Sequence, residues 1–317
     1  MTILYSCNAD YINQTMISMF SVMAHHKERI DFILVSDRIS GREKKRIKNL
    51  VERKGSSQIR FAELDGIPEL KEMDTDGIHP KSIYAKLFPE RLTDAERLLY
   101  LDSDVIANAS FSELFQMDLQ GCVIAGVKMP YADAVLKRQQ ITGEIFICDG
   151  VVLVDVVQWK KRQLSKRAVE YIKRWQGKPE RMSESVINFV CDRQILVLPP
   201  AYNFMPKFLV FGKAELERMY QIQGYYSWEE IEEARKHPIL IHFMNELYNR
   251  PWCKKSRNAM WNHPYRKDYI YYQKKLGICQ EERKSLSIRN KATRYCYQIL
   301  PFPLFLWLFY RIHKDEK

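Results

Sequence analysis

No glycine-rich phosphate loop occurs in the sequence. Its 12 glycines are spread over 317 residues, and the turn after the first apolar run reads Cys7-Asn8-Ala9-Asp10, with neither G-x-G-x-x-G nor a Walker lysine. Ordinary dinucleotide binding and P-loop chemistry are therefore disfavoured. Paired cysteines are missing too: Cys7, Cys122, Cys148, Cys191, Cys253, Cys279 and Cys296 are odd in number, scattered and never spaced Cys-x-x-Cys. Neither a disulfide framework nor a zinc site is expected, and a reducing cytosol is. The start, Met1-Thr2-Ile3-Leu4-Tyr5, lacks the basic opening and long apolar segment of a secretory leader, so it reads as a first strand. Internal repeats and low-complexity stretches are also absent.

The chain does have the composition of a globular protein, 46% hydrophobic, 28% charged and 12% aromatic, and enough length for a full core in one large domain or two modest ones. A net charge of +11 implies an anionic partner: nucleic acid, an acidic membrane surface or a phosphorylated substrate. Charge does not choose among them. No recognised nucleic-acid-binding motif appears, so nucleic acid is not the expected partner.

Apolar runs and helical periodicities alternate through the first half. Residues 3–7 read as a strand, after which Ile12, Met16, Met19, Phe20 and Met23 recur at helical spacing. A strand over 31–36 precedes Ser40-Gly41-Arg42-Glu43, a capping box that starts a helix with Ile47, Leu50 and Val51 on its inner face. A third strand follows at 58–64. This alternation predicts an α/β protein with mostly parallel pairing and helices on both faces. The segment 81–88 reads as a helix that leaves Lys86 upstream of the chain's most informative stretch.

That stretch is Arg97-Leu98-Leu99-Tyr100-Leu101-Asp102-Ser103-Asp104-Val105, a run of strand formers ending in two carboxylates. In extended chain the side chains at i and i+2 point the same way, so Asp102 and Asp104 can present oxygens to one point. Hard oxygen ligands suit Mg or Mn, which keep open positions for substrate phosphates. An isolated Asp-x-Asp is also common in solvated turns. Here the preceding apolar run reads as a buried central strand, and ligands of open α/β sheets bind at carboxyl ends of strands. The turn after the first strand lies at the same edge. Asn8, Asp10 and Tyr11 offer an amide, a carboxylate and an aromatic ring there for a base and ribose, the competing reading being that Asn8 or Asp10 caps the next helix.

Further on, 122–128 and 146–154 read as buried strands, the second carrying Gly150, which marks either a close approach or a bulge. A basic helical pattern runs over 158–176, and another helix over 183–190. Asn203-Phe204-Met205-Pro206 is an irregular aromatic loop, and Ser227-Trp228-Glu229-Glu230 is a second capping box. A last apolar strand, 238–243, delivers His242, followed by Asn245, Arg250, Pro251 and Trp252. A lone histidine there is usually structural. With a guanidinium nearby, it also suits a third metal ligand beside a diphosphate clamp.

Asp102-Ser103-Asp104, Asp149-Gly150-Val151, Asn203-Phe204-Met205-Pro206 and His242…Arg250-Pro251-Trp252, in this order, resemble glycosyltransferase family 8 over roughly residues 1–255. The resemblance implies a GT-A fold, Rossmann-like, binding a UDP-sugar with Mn (or Mg) and transferring a hexose with retention to a surface-glycan or lipid-linked saccharide acceptor. It implies Asp102, Asp104 and His242 as metal ligands. Asn8, Asp10, Tyr11, Lys86, Asp102, Ser103, Asn245 and Arg250 become donor-binding candidates, and Glu184 and Asp149 the carboxylates nearest the sugar. The sequence departs from the family in three places. His242 to Trp252 is two residues longer than the H-x-x-G-x-x-K-P-W spacing and lacks its glycine, F-N-[AS]-G becomes Ile147-Cys148-Asp149-Gly150, and D-Q-D becomes Ser183-Glu184-Ser185. A protein that binds UDP-sugar but has lost transfer is the rival reading.

Residues 256–317 differ in composition and are expected to form a helical extension to a catalytic domain over 1–255. The run from Ile299 to Tyr310 is shorter than a spanning helix and contains two prolines, Pro301 and Pro303, beside Arg289, Lys291 and Arg294. It reads as an interfacial segment for an anionic membrane surface, with the protein cytoplasmic and peripheral on the inner face of the plasma membrane, or as a tail packed on its own domain or a dimer partner. Every proposed donor and metal residue precedes Trp252, so the tail is expected to be dispensable for donor binding.

Overall fold

The structure is a computed structural model describing residues 1–53, 55, 57–73, 80–131, 133–279 and 286–313. Nine strands are present among these: β1 (Thr2–Asn8), β2 (Asp31–Asp37), β3 (Gln58–Glu63), β4 (Arg97–Leu101), β5 (Val105–Ala107), β6 (Ile124–Lys128), β7 (Ile147–Asp155), β8 (Ile195–Leu198) and β9 (Leu240–His242). Seven of them form one sheet in the order β3-β2-β1-β4-β7-β6-β8, and β5 pairs with β9 in a small second sheet. Within the seven-stranded sheet only β7 runs against its neighbours, β4 and β6; the pairs β1–β2, β2–β3, β1–β4 and β6–β8 are parallel. The mostly parallel α/β sheet expected from the alternation is therefore present.

β4 shows why the central strands are continuous apolar runs. Leu99 and Leu101 point into one core with Tyr5 and Leu153, whereas Leu98 and Tyr100 point into the other with Leu4 and Val152. A strand covered on both faces has no solvated side on which to place polar residues. The first face is covered by α1 (Ile12–His25), burying Ile12, Met16, Met19 and Met23, and by α2 (Gly41–Glu52), burying Ile47, Leu50 and Val51. The Ser40 capping box forms, with Ser40 Oγ accepting from Glu43 N and Glu43 Oε2 accepting from Ser40 N.

The other face carries Trp159 and Tyr171, from α3 (Val156–Lys161) and α4 (Leu164–Arg174), and Val186 and Ile187 from α5 (Met182–Val190). The single helix read over 158–176 is thus two, separated at Gln163, whose φ of 52° is left-handed. Lys81–Leu87 is a 3-10 helix, not an α-helix. It lies between Pro80 and Pro89, and Phe88 is held out of the α region because a residue before proline clashes there. β8 is four residues long, too short for its apolar run to stand out in the sequence.

Beyond β8 come α6 (Pro206–Val210), α7 (Lys213–Tyr220), α8 (Trp228–Lys236), α9 (Arg266–Lys275), α10 (Ile288–Ile299) and α11 (Phe302–Ile312). The second capping box, Ser227 with Glu230, starts α8. The last two helices pack on the same molecule. Phe305 and Phe309 are buried in the first core, with Phe305 against Phe211 and Phe309 edge-on to Tyr220. Tyr297 Oη donates to Glu215 Oε2 at 2.8 Å. Their outer side exposes Ile299, Leu304 and Trp307. No helix among the described residues is long and apolar enough to cross a membrane.

Candidate metal centre

β4 delivers Asp102 to the carboxyl edge of the sheet, where Asp102 N still donates to Gly150 O at 2.8 Å. The chain then turns, Val105 N donating to Asp102 O, and enters β5. Antiparallel pairing of β5 with β9 puts Val105 opposite His242, and Phe243 N donates to Asp104 O. Two short strands thus bring a histidine from late in the chain to the two aspartates. Asp102, Asp104 and His242 each offer one ligand atom, all within 4.8 Å of one another. His242 Nε2 lies 3.2 Å from Asp104 Oδ1 and 3.9 Å from Asp102 Oδ2.

Gly150 is there because nothing larger fits. A Cβ at that position would stand 2.4 Å from His242 Cε1 and 2.8 Å from Asp102 Oδ2, so the close approach is real. The β6–β7 register also shifts opposite this stretch, between Gly126 and Lys128. On the far side of the imidazole, Asn203 Oδ1 lies 3.0 Å from Nδ1, and Asn203 is fully buried. Phe204 N donates to Leu240 O and His242 N to Phe204 O, which clamps the Asn203 loop onto β9. With Nδ1–H donating to the amide, Nε2 is the nitrogen left facing the carboxylates, the arrangement in which an outer hydrogen bond orients a metal-ligating histidine.

The electrostatics follow from burying these groups together. Burial opposes charge on His242, but Asp104 outweighs it and pushes the imidazole pKa well up. Burial also works against ionised Asp104, yet His242 and then Arg250 hold it below the usual carboxylate range. Asp102 moves the other way, raised by burial and by Asp149 and Asp104 against the pull of Lys86. Such a set of acids and one imidazole is ready to exchange protons for a divalent cation, since the ligands must be deprotonated to bind it.

Lys86 is 4% exposed and is fully engaged: its Nζ lies 2.9 Å from Asp149 Oδ2, 3.6 Å from Asp102 Oδ1 and 3.9 Å from the centre of the Tyr100 ring. Burial disfavours its charge, but Asp102 and Asp149 prevail and raise its pKa well above the ordinary lysine value. Ser183 Oγ donates to the same Asp149 oxygen at 2.6 Å, and Tyr100 Oη donates to Asp102 Oδ1 at 2.7 Å. Glu184, next to Ser183 on α5, has its pKa pushed up to about 8, first by burial and then by Asp149.

Arg250 ties the loop after β1 to the acids. Its guanidinium donates to Tyr11 Oη at 2.9 Å and Asp104 Oδ2 at 3.2 Å, and its Nε to Phe243 O at 3.3 Å. At the end of β1, neither Asn8 nor Asp10 makes a side-chain capping bond, so the capping reading is not what the fold uses them for. Asn8 Oδ1 is buried with no hydrogen-bond partner among the described residues, and Asp10 is exposed. Ser103 turns away from the triad, its Oγ 2.7 Å from Thr15 Oγ1. Asn245 is exposed on the loop after β9. The sequence reading assigned no role to Asn203, Tyr100 or Ser183. Asn203 lay in a quoted motif, but its contact with His242 depends on a long-range pairing that no local pattern reveals.

A Rossmann-like sheet that gathers two aspartates and a histidine at the end of its central strand is the arrangement of the GT-A fold. The chain belongs to the family described as "Glycosyl transferase family 8", whose model matches residues 2–256. It is 22% identical over 218 residues to a "Putative glycosyltransferase" of Haemophilus influenzae, covering 65% of this chain and 64% of that protein. Over 212 residues it is 24% identical to the "Lipopolysaccharide 1,2-glucosyltransferase" of Escherichia coli (strain K12), covering 64% of this chain and 62% of that one. The chain therefore spans less than two thirds of the length of either relative. Among solved structures, the galactosyltransferase LgtC in complex with donor and acceptor sugar analogs superposes with a TM-score of 0.69 at 16% identity, covering 88% of this chain and 97% of that one.

Proposed function

We propose that this chain is a retaining hexosyltransferase that moves a sugar from a UDP-sugar to a saccharide acceptor, with Mn or Mg held by Asp102, Asp104 and His242. The observation that carries the reading is the convergence of those three side chains at 4.8 Å or less, with Gly150 leaving the room for it. Two carboxylates and an imidazole fit a cation that accepts both oxygen and nitrogen, which favours Mn. When bound, the ion supplies Lewis-acid neutralisation of charge on the departing diphosphate.

The chain's own residues do the rest. Asn8 presents a buried amide oxygen with no partner among the described residues, suited to an N–H of a pyrimidine edge, and Tyr11 and Asp10 flank it for stacking and ribose binding. Arg250 adds fixed positive charge beside the acids, the preorganised electrostatic help that a diphosphate leaving group needs. Lys86 is already paired with Asp149 and Asp102, so its work is to fix those carboxylates and lend charge from behind them. Asp149 and Glu184 are the candidates to face the sugar. Glu184, its pKa pushed up to about 8 chiefly by burial, is suited to donate a hydrogen bond there, and Asp149 to stabilise positive charge at the anomeric carbon.

The name of the Escherichia coli relative supports a surface-glycan or lipid-linked acceptor. Such an acceptor suits peripheral attachment of the C-terminal helices to an anionic cytoplasmic membrane face. The alternative, UDP-sugar binding without transfer, draws support from Asp149, whose Oδ2 is taken up by Lys86 and Ser183. The test is UDP release from a panel of UDP-sugars with Mn and with EDTA, alongside calorimetry with UDP. Metal-dependent release for one sugar is expected, and Asp104→Asn should match EDTA. Tight UDP binding with no release for any sugar and acceptor would favour the binding-only protein, and equal UDP affinity with and without metal would overturn the metal assignment.

A further inference from the structure

The loop between His242 and Arg250 is held from outside by a helix far beyond the family-matched region. Asn290 Nδ2, on α10, donates to Asn245 O at 2.7 Å. Just before α10, Leu286 N donates to Asn249 Oδ1 at 3.0 Å. Arg294, one turn further on, lies 5.2 Å from the centre of the Tyr248 ring, its Nη2 3.4 Å from Tyr248 Oη. On the loop's inner side Glu246 faces the buried Lys207 at 3.6 Å. Leu247, Tyr248 and Asn249 are all buried, and the next residue is Arg250, which reaches Tyr11 and Asp104.

The sequence of the loop explains why outside support matters. Met244-Asn245-Glu246-Leu247-Tyr248-Asn249 has no proline to preset its backbone angles, so ordering it costs conformational entropy residue by residue. Contacts that offset that cost come from three sides: α10, Lys207 at the start of α6, and Asn249 N, which donates to Trp261 O at 2.7 Å. The α10 contacts are polar and directional, so they set the position of the loop as well as covering it.

We propose that α10 is a positioning element of the donor site: Asn290 and Arg294 hold the 244–249 loop so that Arg250 is presented to the diphosphate. This rests on Arg250 acting as a diphosphate cation, as argued above. It departs from the expectation that the C-terminal segment is dispensable for donor binding, and it makes the tail and the donor site one mechanical unit. Anything that pulls on α10 is then felt at Arg250.

The experiment is a cycle on the full-length chain with UDP and Mn as the probe. Asn290→Ala with Arg294→Ala should weaken UDP binding roughly 3- to 10-fold in the Arg250 background, the range expected for losing one or two directional contacts. In an Arg250→Ala background the same pair should have less than about a twofold effect, because the group it positions is gone. Arg294→Lys, which keeps a cation over Tyr248, should recover part of the loss. Equal weakening in both backgrounds would mean that the helix acts through general stability, and no weakening in either would overturn the proposal. Amide hydrogen exchange needs no ligand and separates this proposal from the donor assignment. Exchange at 244–250 should quicken in the double variant while β1 and β4 stay protected, and an unchanged loop would overturn the bracing even if UDP proves not to be the donor nucleotide.

Discussion

Asn203 Oδ1 and His242 Nδ1 meet at 3.0 Å in a fully buried setting, and this contact decides which nitrogen the imidazole turns toward Asp102 and Asp104. Replacing Asn203 with Leu keeps the volume and removes the acceptor. Mn affinity, read by electron paramagnetic resonance of the free ion, should fall about 10-fold or more, the usual cost of losing an outer partner of a ligating histidine. His242→Ala should lose at least as much. If Asn203→Leu binds Mn like the wild type, the β5–β9 ladder alone orients the ring.

Gly150 offers a sharper geometric test. Its added Cβ would meet the His242 ring and a carboxylate oxygen of Asp102, so Gly150→Ala must displace one of the proposed metal ligands. A Cβ on Gly126 would instead meet the end of the Ile147 side chain, with Cδ1 at 2.4 Å. Gly126→Ala should therefore lower the melting temperature while leaving Mn affinity unchanged, since crowding a core typically costs about 1–3 kcal/mol. Gly150→Ala should lower the melting temperature as well, and it alone of the two should lower Mn affinity, by well over 10-fold. Intact Mn binding in Gly150→Ala would show that the three side chains do not act together on a cation.

Much of this was legible beforehand, and what was not has identifiable causes. The doubly buried β4, the methionine-faced α1 and both serine capping boxes are local patterns, and they stand in the structure as the sequence suggests. The break at Gln163 carries no glycine or proline to announce it, and the 3-10 form of Lys81–Leu87 depends on two prolines acting from outside the segment. At the site, the i and i+2 carboxylates were visible as a motif. Lys86 was visible only as a cation, because its burial between Asp149, Asp102 and Tyr100 joins three separate elements. The grip of α10 on the loop before Arg250 is likewise a matter of tertiary packing.

Glu184 makes a pH prediction with a definite sign. Its carboxyl moves from an ordinary 4.5 to about 8 in the fold, burial being the main cause and Asp149 the second. A carboxyl with a raised folded pKa keeps a proton that the unfolded chain gives up, so stability falls as pH rises between those two values. Glu184→Gln removes the penalty. It should match the wild type in urea unfolding near pH 4.5 and exceed it at pH 8, by on the order of 1–3 kcal/mol for a half-buried group. Parallel stability curves for the two proteins would mean that Glu184 is ionised in the native state and would return it to the list of anionic groups at the sugar.

The last prediction concerns what the C-terminal helices do on their outer side. α11 buries Phe305 against Phe211 and Phe309 against Tyr220 of α7, and turns Leu304 and Trp307 outward, 46% and 49% exposed, with Arg311 stacked 3.9 Å over the Trp307 ring. An exposed tryptophan and leucine beside a cation are what an interfacial helix needs, and a dozen residues lie on a membrane rather than cross it. Truncating the tail would be a poor test, because α10 also braces the donor loop. Leu304→Asp with Trp307→Asp alters only the outer face, and should weaken co-sedimentation with anionic vesicles at least 10-fold while leaving the melting temperature and UDP affinity unchanged. Added salt should weaken attachment of the unmodified protein only in part, since the Coulombic share is screened and the apolar share is not. Undiminished vesicle binding by the double variant would assign the membrane to another surface. A sharp drop in melting temperature would show instead that this face is covered by another part of the protein, or by a second copy, in solution.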